Sequence, residues 1–266
     1  MLRDITIGQY YPVQSLIHRL DPRVKILGSI MYLVSLFLFD SFYGFLVAAV
    51  FLTGIILLSR VPFRHIVKGL KPIIVILSFT VLFNFLLTPG EELFRFYFIR
   101  ITKEGLYRGT FMGVRLIMLI LGSSILTFTT TPMQMTDGLE SLMKPLTWLK
   151  VPVHDIAMTI SIALRFIPLL MEETDKIMKA QQARGADFES GNLIKRAKAM
   201  VPIFVPLIIS AFRRAFDLAL AMEARCYRGG NGRTKLHPLH FHMCDLWASI
   251  YLIVYMTVII VLRRWI

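Results

Sequence analysis

Long apolar runs broken by short basic clusters dominate this chain, and they admit few folds. Residues 24–39 are apolar apart from Lys25, 42–59 carry no charge, and 72–88 and 105–130 follow. A last apolar run covers 246–262, closed by Arg263 and Arg264. A helix needs about 20 residues to cross the hydrocarbon core of a bilayer, and inside that core it must satisfy its own backbone. The chain therefore reads as an all-α integral membrane protein with about five transmembrane helices. Its apolar share of 56% exceeds the roughly 45–50% of soluble domains. Residues 1–130 read as an N-terminal membrane domain of four spans, and 243–266 as a C-terminal transmembrane helix.

The connections support that division. Asp21-Pro22 has the form of a helix cap followed by a first-turn proline. Asp40-Ser41 is a break short enough to make a hairpin of the first two spans. Residues 60–71, with Arg60, Arg64, Lys68 and Lys71, suit an interfacial segment. Pro89-Gly90 stops the third span. Residues 94–101 partly alternate apolar and charged side chains, which fits a short outer β-hairpin or an aromatic interfacial segment. No small-residue cleavage site follows an early apolar core, so the first run reads as a retained span.

Charge sets the expected topology. The net charge is +13. The basic residues before the first span, between spans two and three, and from Lys144 to Lys235 all fall on one side if four spans precede residue 131. That side is expected to be the cytoplasm. Arg263 and Arg264 then lie outside, unless a sixth span is hidden between 156 and 212. Because the charge is explained by orientation, and no basic–aromatic module is present, nucleic acid is not expected as a partner.

Residues 131–242 have a different character, and we read them as a cytoplasmic coupling region. Ile156–Met171 is apolar except for Arg165 and contains Pro168. Met200–Phe212 is apolar and contains Pro202 and Pro206. Polar helical sequence follows each, over 172–184 and 213–225. Both read as long helices that start against the membrane base and end in the cytoplasm.

Catalytic signatures are missing. There is no His-Glu-x-x-His, no Gly-x-Ser-x-Gly and no Gly-x-x-x-x-Gly-Lys-[Ser/Thr] phosphate loop. His237, His240 and His242 form a possible metal cluster, but supporting ligands are thin, so an interfacial loop is the expected reading. Cys226 and Cys244 make no disulfide framework. Cys226 lies beside Arg225 and Arg228, and we read it as a reduced, space-filling cysteine. Arg115 is an intramembrane charge, open to either helix pairing or transport work.

The strongest internal signal is a repeated helix ending. Ala183-Arg184-Gly185 closes one long amphipathic stretch and Ala224-Arg225-Cys226 the other. Alanine keeps the surface low, so a partner backbone can approach. Arginine offers a planar fork that meets carboxylates bidentately. An ordinary C-terminal arginine complementing the helix dipole is the plainer reading of each taken singly.

These stretches resemble one known family, the T component, or scaffold transmembrane subunit, of energy-coupling factor (ECF) type ABC transporters. The likeness runs through Leu16-Ile17-His18-Arg19-Leu20-Asp21-Pro22-Arg23-Val24-Lys25, Thr102-Lys103-Glu104-Gly105-Leu106 and Leu126 to Pro132. It is most specific over Ala163-Leu164-Arg165-Phe166-Ile167-Pro168-Leu169-Leu170 and on to Arg184-Gly185. The family pattern at the second ending is Ala-Arg-Gly, so Cys226 is a departure. The resemblance implies a non-catalytic scaffold that joins two ABC-type ATPase subunits to a small substrate-binding membrane subunit for uptake of a vitamin or other micronutrient. ATP and Mg would sit on the partners, and this chain would bind no cofactor. Arg184 would meet one ATPase and Arg225 the other. Leu164, Phe166, Pro168, Pro202 and Pro206 would face the substrate-binding subunit, and lipid would surround the spans. An autonomous secondary transporter or a polytopic membrane enzyme is the alternative. The first usually brings internal repeats and broken helices, which are not evident, and the second needs a catalytic constellation that is missing.

Overall fold

Asp21 opens the first long helix. Its carboxylate accepts the Arg23 N–H at 2.9 Å, and Pro22 takes the first helical position, where a missing N–H costs nothing. The computed structural model describes residues 10–70, 73–96, 99–186, 188, 192–229 and 238–265. In it α1 is Leu16–Arg19, α2 Pro22–Ser35, α3 Phe42–Ser59, α4 Phe63–Leu70, α5 Ile74–Leu87, α6 Lys103–Thr129 and α7 Pro132–Met143. A 3-10 turn over Lys144–Leu149 leads to α8 Val153–Ala183, α9 Leu193–Ala224 and α10 Met243–Trp265. Between α5 and α6 a short antiparallel hairpin pairs β1, Glu92–Phe96, with β2, Ile99–Thr102. Of the two sequence expectations for that stretch, the β-hairpin is the one formed.

Among the described residues the chain is all-α apart from this hairpin, and five helices are long and apolar enough to cross a membrane. They are α3, α6, α8, the Lys198–Ala224 part of α9, and α10. The membership differs from the sequence reading. The expected spans 24–39 and 72–88 overlap α2 and α5, which have 14 residues each. That is about 21 Å of helix at 1.5 Å per residue, against a hydrocarbon core of about 30 Å. Conversely, α8 and α9 run unbroken through Pro168, Pro202 and Pro206. A proline inside a helix frees the carbonyl four residues earlier. Pro206 frees that of Pro202, and the Gln181 side-chain amide donates to it at 3.5 Å, the outer limit of such a bond.

The contacts divide the chain into two units. One holds the described residues up to Leu142 and from Leu239 on, and the other those from Met143 to Pro238. In the first, the membrane unit, α2 and α6 run antiparallel. Lys25 Nζ donates to the Thr129 carbonyl at 3.0 Å at one end, and Arg115 donates to the Phe39 carbonyl at 2.9 Å near the other. α10 runs alongside α2, with Ser35 and Tyr255 hydroxyls 2.6 Å apart. The core between them is aromatic. Phe51 stacks on Tyr255 at 4.1 Å and on Tyr32 at 5.8 Å. Such pairs add about 0.5–1.5 kcal/mol each beyond area burial. Gly122 permits this packing, since a Cβ there would run into the Tyr32 ring.

Arg115 is a packing charge. It pairs with Asp40 at 3.3 Å and lies 4.8 Å from the Phe111 ring centroid. These contacts tie α6 to the link between α2 and α3. At the opposite end the chain is knotted by ions. Asp245 accepts the Asp21 and His242 backbone N–H groups, both at 2.7 Å. Lys25 donates to the carbonyls of His18 and Thr129 and lies within electrostatic reach of Asp245 and Asp21. Asp245 is 2% exposed, Asp21 4% and Lys25 8%.

His18 completes this end. Its Nε2–H donates to the Tyr11 carbonyl at 3.0 Å, and its Nδ1 lies 2.7 Å from the Ser15 hydroxyl. Burial pushes its pKa below the usual value, and the nearby Lys25 charge adds to this against the carbonyl bonds that raise it. For a base with a lowered folded pKa, the unfolded chain binds more protons as pH falls. The His18 contribution is therefore complete above about pH 6.5, the ordinary histidine value, and is lost as pH drops below it. Melting temperature followed from pH 8 to 5 should fall below 6.5. The fall should be smaller in His18→Gln, and an equal fall in that variant would remove His18 as its cause.

Candidate docking site on the arm

In the second unit, called the arm below, α8 and α9 form an antiparallel pair. Arg214 Nη2 meets Glu173 Oε2 at 2.7 Å, and the Tyr227 hydroxyl reaches Met158 Sδ at 3.1 Å. Together with the Gln181–Pro202 contact, these bonds fix the register along the helices. The end of α8 lies by the start of α9, and the end of α9 by the start of α8. Arg184 and Arg225 thus sit at opposite ends of one rod. About 24 residues of helix separate their levels, or roughly 35 Å.

The two endings have the same backbone. Arg184 caps α8, the Gly185 N–H donates to the Gln182 carbonyl at 2.9 Å and the Ala186 N–H to that of Gln181 at 3.0 Å. Arg225 caps α9, the Cys226 N–H donates to Glu223 at 2.8 Å and the Tyr227 N–H to Met222 at 3.0 Å. Each is a Schellman motif, which satisfies the last carbonyls through a residue in the left-handed conformation. Gly185 has φ +87° and Cys226 φ +55°. Glycine takes this conformation freely, whereas a residue with a Cβ is strained by about 1–2 kcal/mol. Cys226→Gly should therefore stabilise the α9 ending by about 1 kcal/mol, less what glycine's freer unfolded chain takes back. A rise in amide-exchange protection at Tyr227, absent in Cys226→Ala, checks this.

All six residues of the two motifs, Ala183, Arg184, Gly185, Ala224, Arg225 and Cys226, are exposed. The other sequence-predicted positions divide. Phe166 lines a cleft between α8 and α9 with Ile162, Leu170, Ala211 and Ala215. Leu164 and Pro206 are half-buried, and Pro168 and Pro202 are exposed. One face of α9 is apolar and uncovered: Val201, Phe204, Val205, Ile208, Ile209, Phe212, Phe216 and Leu220 are each more than half exposed. Their spacing puts them on one helical stripe. Among the described residues no group of three His, Cys, Asp or Glu side chains is placed to hold a metal. His237 and Gly230 lie outside the described residues.

Comparison with known proteins matches the sequence to a family. The model of the CbiQ family, described as cobalt transport protein, matches residues 13–236. The energy-coupling factor transporter transmembrane protein EcfT of Clostridium kluyveri is 54% identical over 267 residues, covering 100% of this chain and 99% of its own. The chain belongs to the energy-coupling factor transmembrane protein family. Other members with the same description come from Thermosediminibacter oceani, 53% identical over 249 residues with 94% of each chain covered, and Bacillus subtilis, 48% identical over 264 residues covering 99% of this chain and 100% of its own. As a member of the energy-coupling factor family the chain is a multi-pass transmembrane transporter protein.

Sequence reasoning missed four partners. Asp245 was placed just outside the last apolar run, although a carboxylate opening an apolar helix is a signal in itself. Asp40 was read as a break, and Glu173 and Arg214 only as parts of the polar helical stretches, not as a pair.

Proposed function

We propose that the chain is the scaffold of an ECF-type importer. It couples ATP hydrolysis by two partner ATPase subunits to reorientation of a small substrate-binding membrane subunit that carries a vitamin or other micronutrient. The observation that carries this reading is the pair of exposed Arg caps, alike in backbone bonding, at opposite ends of one antiparallel rod. Two separated copies of one docking motif suit two like partners, one per end. The uncovered apolar stripe of α9, with Leu164, Phe166, Pro168, Pro202 and Pro206 on the same helix pair, is the surface assigned to the small membrane subunit. ATP and Mg belong to the ATPases, and this chain holds no cofactor.

The coupling region, 131–242, is assigned to the cytoplasmic side with the N-terminus. The basic residues of 10–25 and 60–65 gather at the end of the membrane unit where Lys25 meets Thr129, which favours the cytoplasm for that end. Purification of the full chain from membranes, with co-purifying subunits identified, tests the reading. Two ATPases bearing phosphate loops and one small membrane protein per chain are expected. A chain that transports substrate in vesicles without any ATPase would overturn it in favour of an autonomous carrier.

A further inference from the structure

Between α1, α2, α3, α6 and α10 the membrane unit contains a cavity of about 410 Å³. Its wall is apolar, with Leu20, Leu52, Ile55, Ile125 and Leu252 among the lining side chains. Among the described residues Lys25 is the one charged residue lining it, and its ammonium already donates to two carbonyls. Nothing deep in the cavity therefore invites an anion. The volume is within the roughly 300–1,000 Å³ of ligand sites. It has room for roughly a dozen methylene groups, each taken as the size of a water at about 30 Å³.

The mouth points to the same ligand. Leu16, Leu58, Trp247 and Tyr251 line the cavity and are exposed. It therefore opens beside α3 and α10, two helices long and apolar enough to cross a membrane. Trp and Tyr favour the level of the lipid headgroups. Arg19, next to the lining Leu20, and Arg60, two residues past the lining Leu58, are both exposed. An apolar shaft, an aromatic rim and two arginines complement a lipid tail, its glycerol level and an anionic headgroup in turn.

We propose that this cavity holds one acyl chain of an anionic phospholipid, with the headgroup at the mouth near Arg19 and Arg60. The site is separate from the arm and needs only that the membrane unit sits in a bilayer, so it stands or falls apart from the scaffold reading. The lipid would wedge α1 and α2 against α3 and α10, next to the Asp21–Asp245 knot.

Gly28 provides the test. A Cβ there meets only Leu252 Cδ2, at 3.9 Å, so a larger side chain fills the cavity without moving backbone. The full complex should be purified in detergent from membranes containing phosphatidylglycerol and phosphatidylethanolamine, and retained lipid counted by mass spectrometry. The wild type should keep about one phospholipid per chain through washes that strip annular lipid, mostly phosphatidylglycerol. Gly28→Leu should lower that count about tenfold at unchanged or higher melting temperature, and Ala248→Phe should do so from the opposite wall. Arg19→Gln with Arg60→Gln should keep the count and lose the preference for phosphatidylglycerol. Equal retention in the wild type and both filling variants, or no retained phospholipid in the wild type, overturns the proposal.

Discussion

Asp245→Ala is expected to cost the membrane unit about 3–5 kcal/mol, the range for removing one partner of a buried charged network. The side chain is 2% exposed and accepts two backbone N–H groups, from Asp21 and His242, at 2.7 Å each. Alanine leaves both donors buried and takes a counter-charge from Lys25. Asp245→Asn keeps one acceptor oxygen and should cost about half as much, since a bond to a charged group contributes about 1.5–3 kcal/mol. In a unit of this size 1 kcal/mol moves the melting temperature by about 2–4 °C, so the alanine variant should melt roughly 10 °C lower. Lys25→Met should also destabilise, and its combination with Asp245→Asn should cost less than the sum, because the groups share one network. A shift below about 2 °C for Asp245→Ala, or strict additivity of the pair, would sink this account of the knot.

This knot shows where the sequence ceases to be readable. Asp21-Pro22 announces a helix start by local chemistry, and the structure has it. That Asp245 binds the Asp21 backbone is a contact across 224 positions, and no local pattern encodes it. Arg115 was visible as an anomaly, a charge in an apolar run, but its partners Phe39 and Asp40 are set by the packing of α6 on the turn after α2. The α8 ending was legible, because Ala-Arg-Gly carries its own backbone instruction, a cap followed by a left-handed residue; that Cys226 takes the same left-handed place after α9 was not. Cys226 obeys the same instruction against its intrinsic preference, so the Met222 and Glu223 carbonyl bonds and the setting around them hold it there. The two long helices were legible in outline, since Ile156–Met171 and Met200–Phe212 read as parts of helices that run on into polar sequence, and both continue through their prolines. Gln181 takes up the carbonyl freed by Pro206. Antiparallel pairing of α8 with α9, which puts the two arginines at opposite ends, also lay beyond any window of sequence.

That pairing leads to the other large effect. Arg184→Ala and Arg225→Ala together should reduce association with the two ATPases by at least about a hundredfold. Truncating one side of a desolvated charge pair at an interface costs about 2–5 kcal/mol, and arginine is among the residues that concentrate binding energy. Each arginine is exposed at a helix cap, so its removal leaves no buried group unpaired within the arm. Helix content and melting temperature should stay put while binding falls. The two sites lie roughly 35 Å apart along the rod, too far for direct coupling, so the single variants should be independent in intrinsic affinity. They will look milder than the double variant because the remaining site still tethers the ATPase pair. Arg184→Lys should rescue little, since an ammonium cannot reproduce the two parallel bonds of a guanidinium fork. Gel filtration of the arm-intact full chain with purified ATPases, run alongside substrate uptake in proteoliposomes, reads both quantities. If the double alanine variant still forms the complex and transports at the wild-type rate, the arginines are ordinary helix-end charges, and docking must be sought elsewhere on the arm.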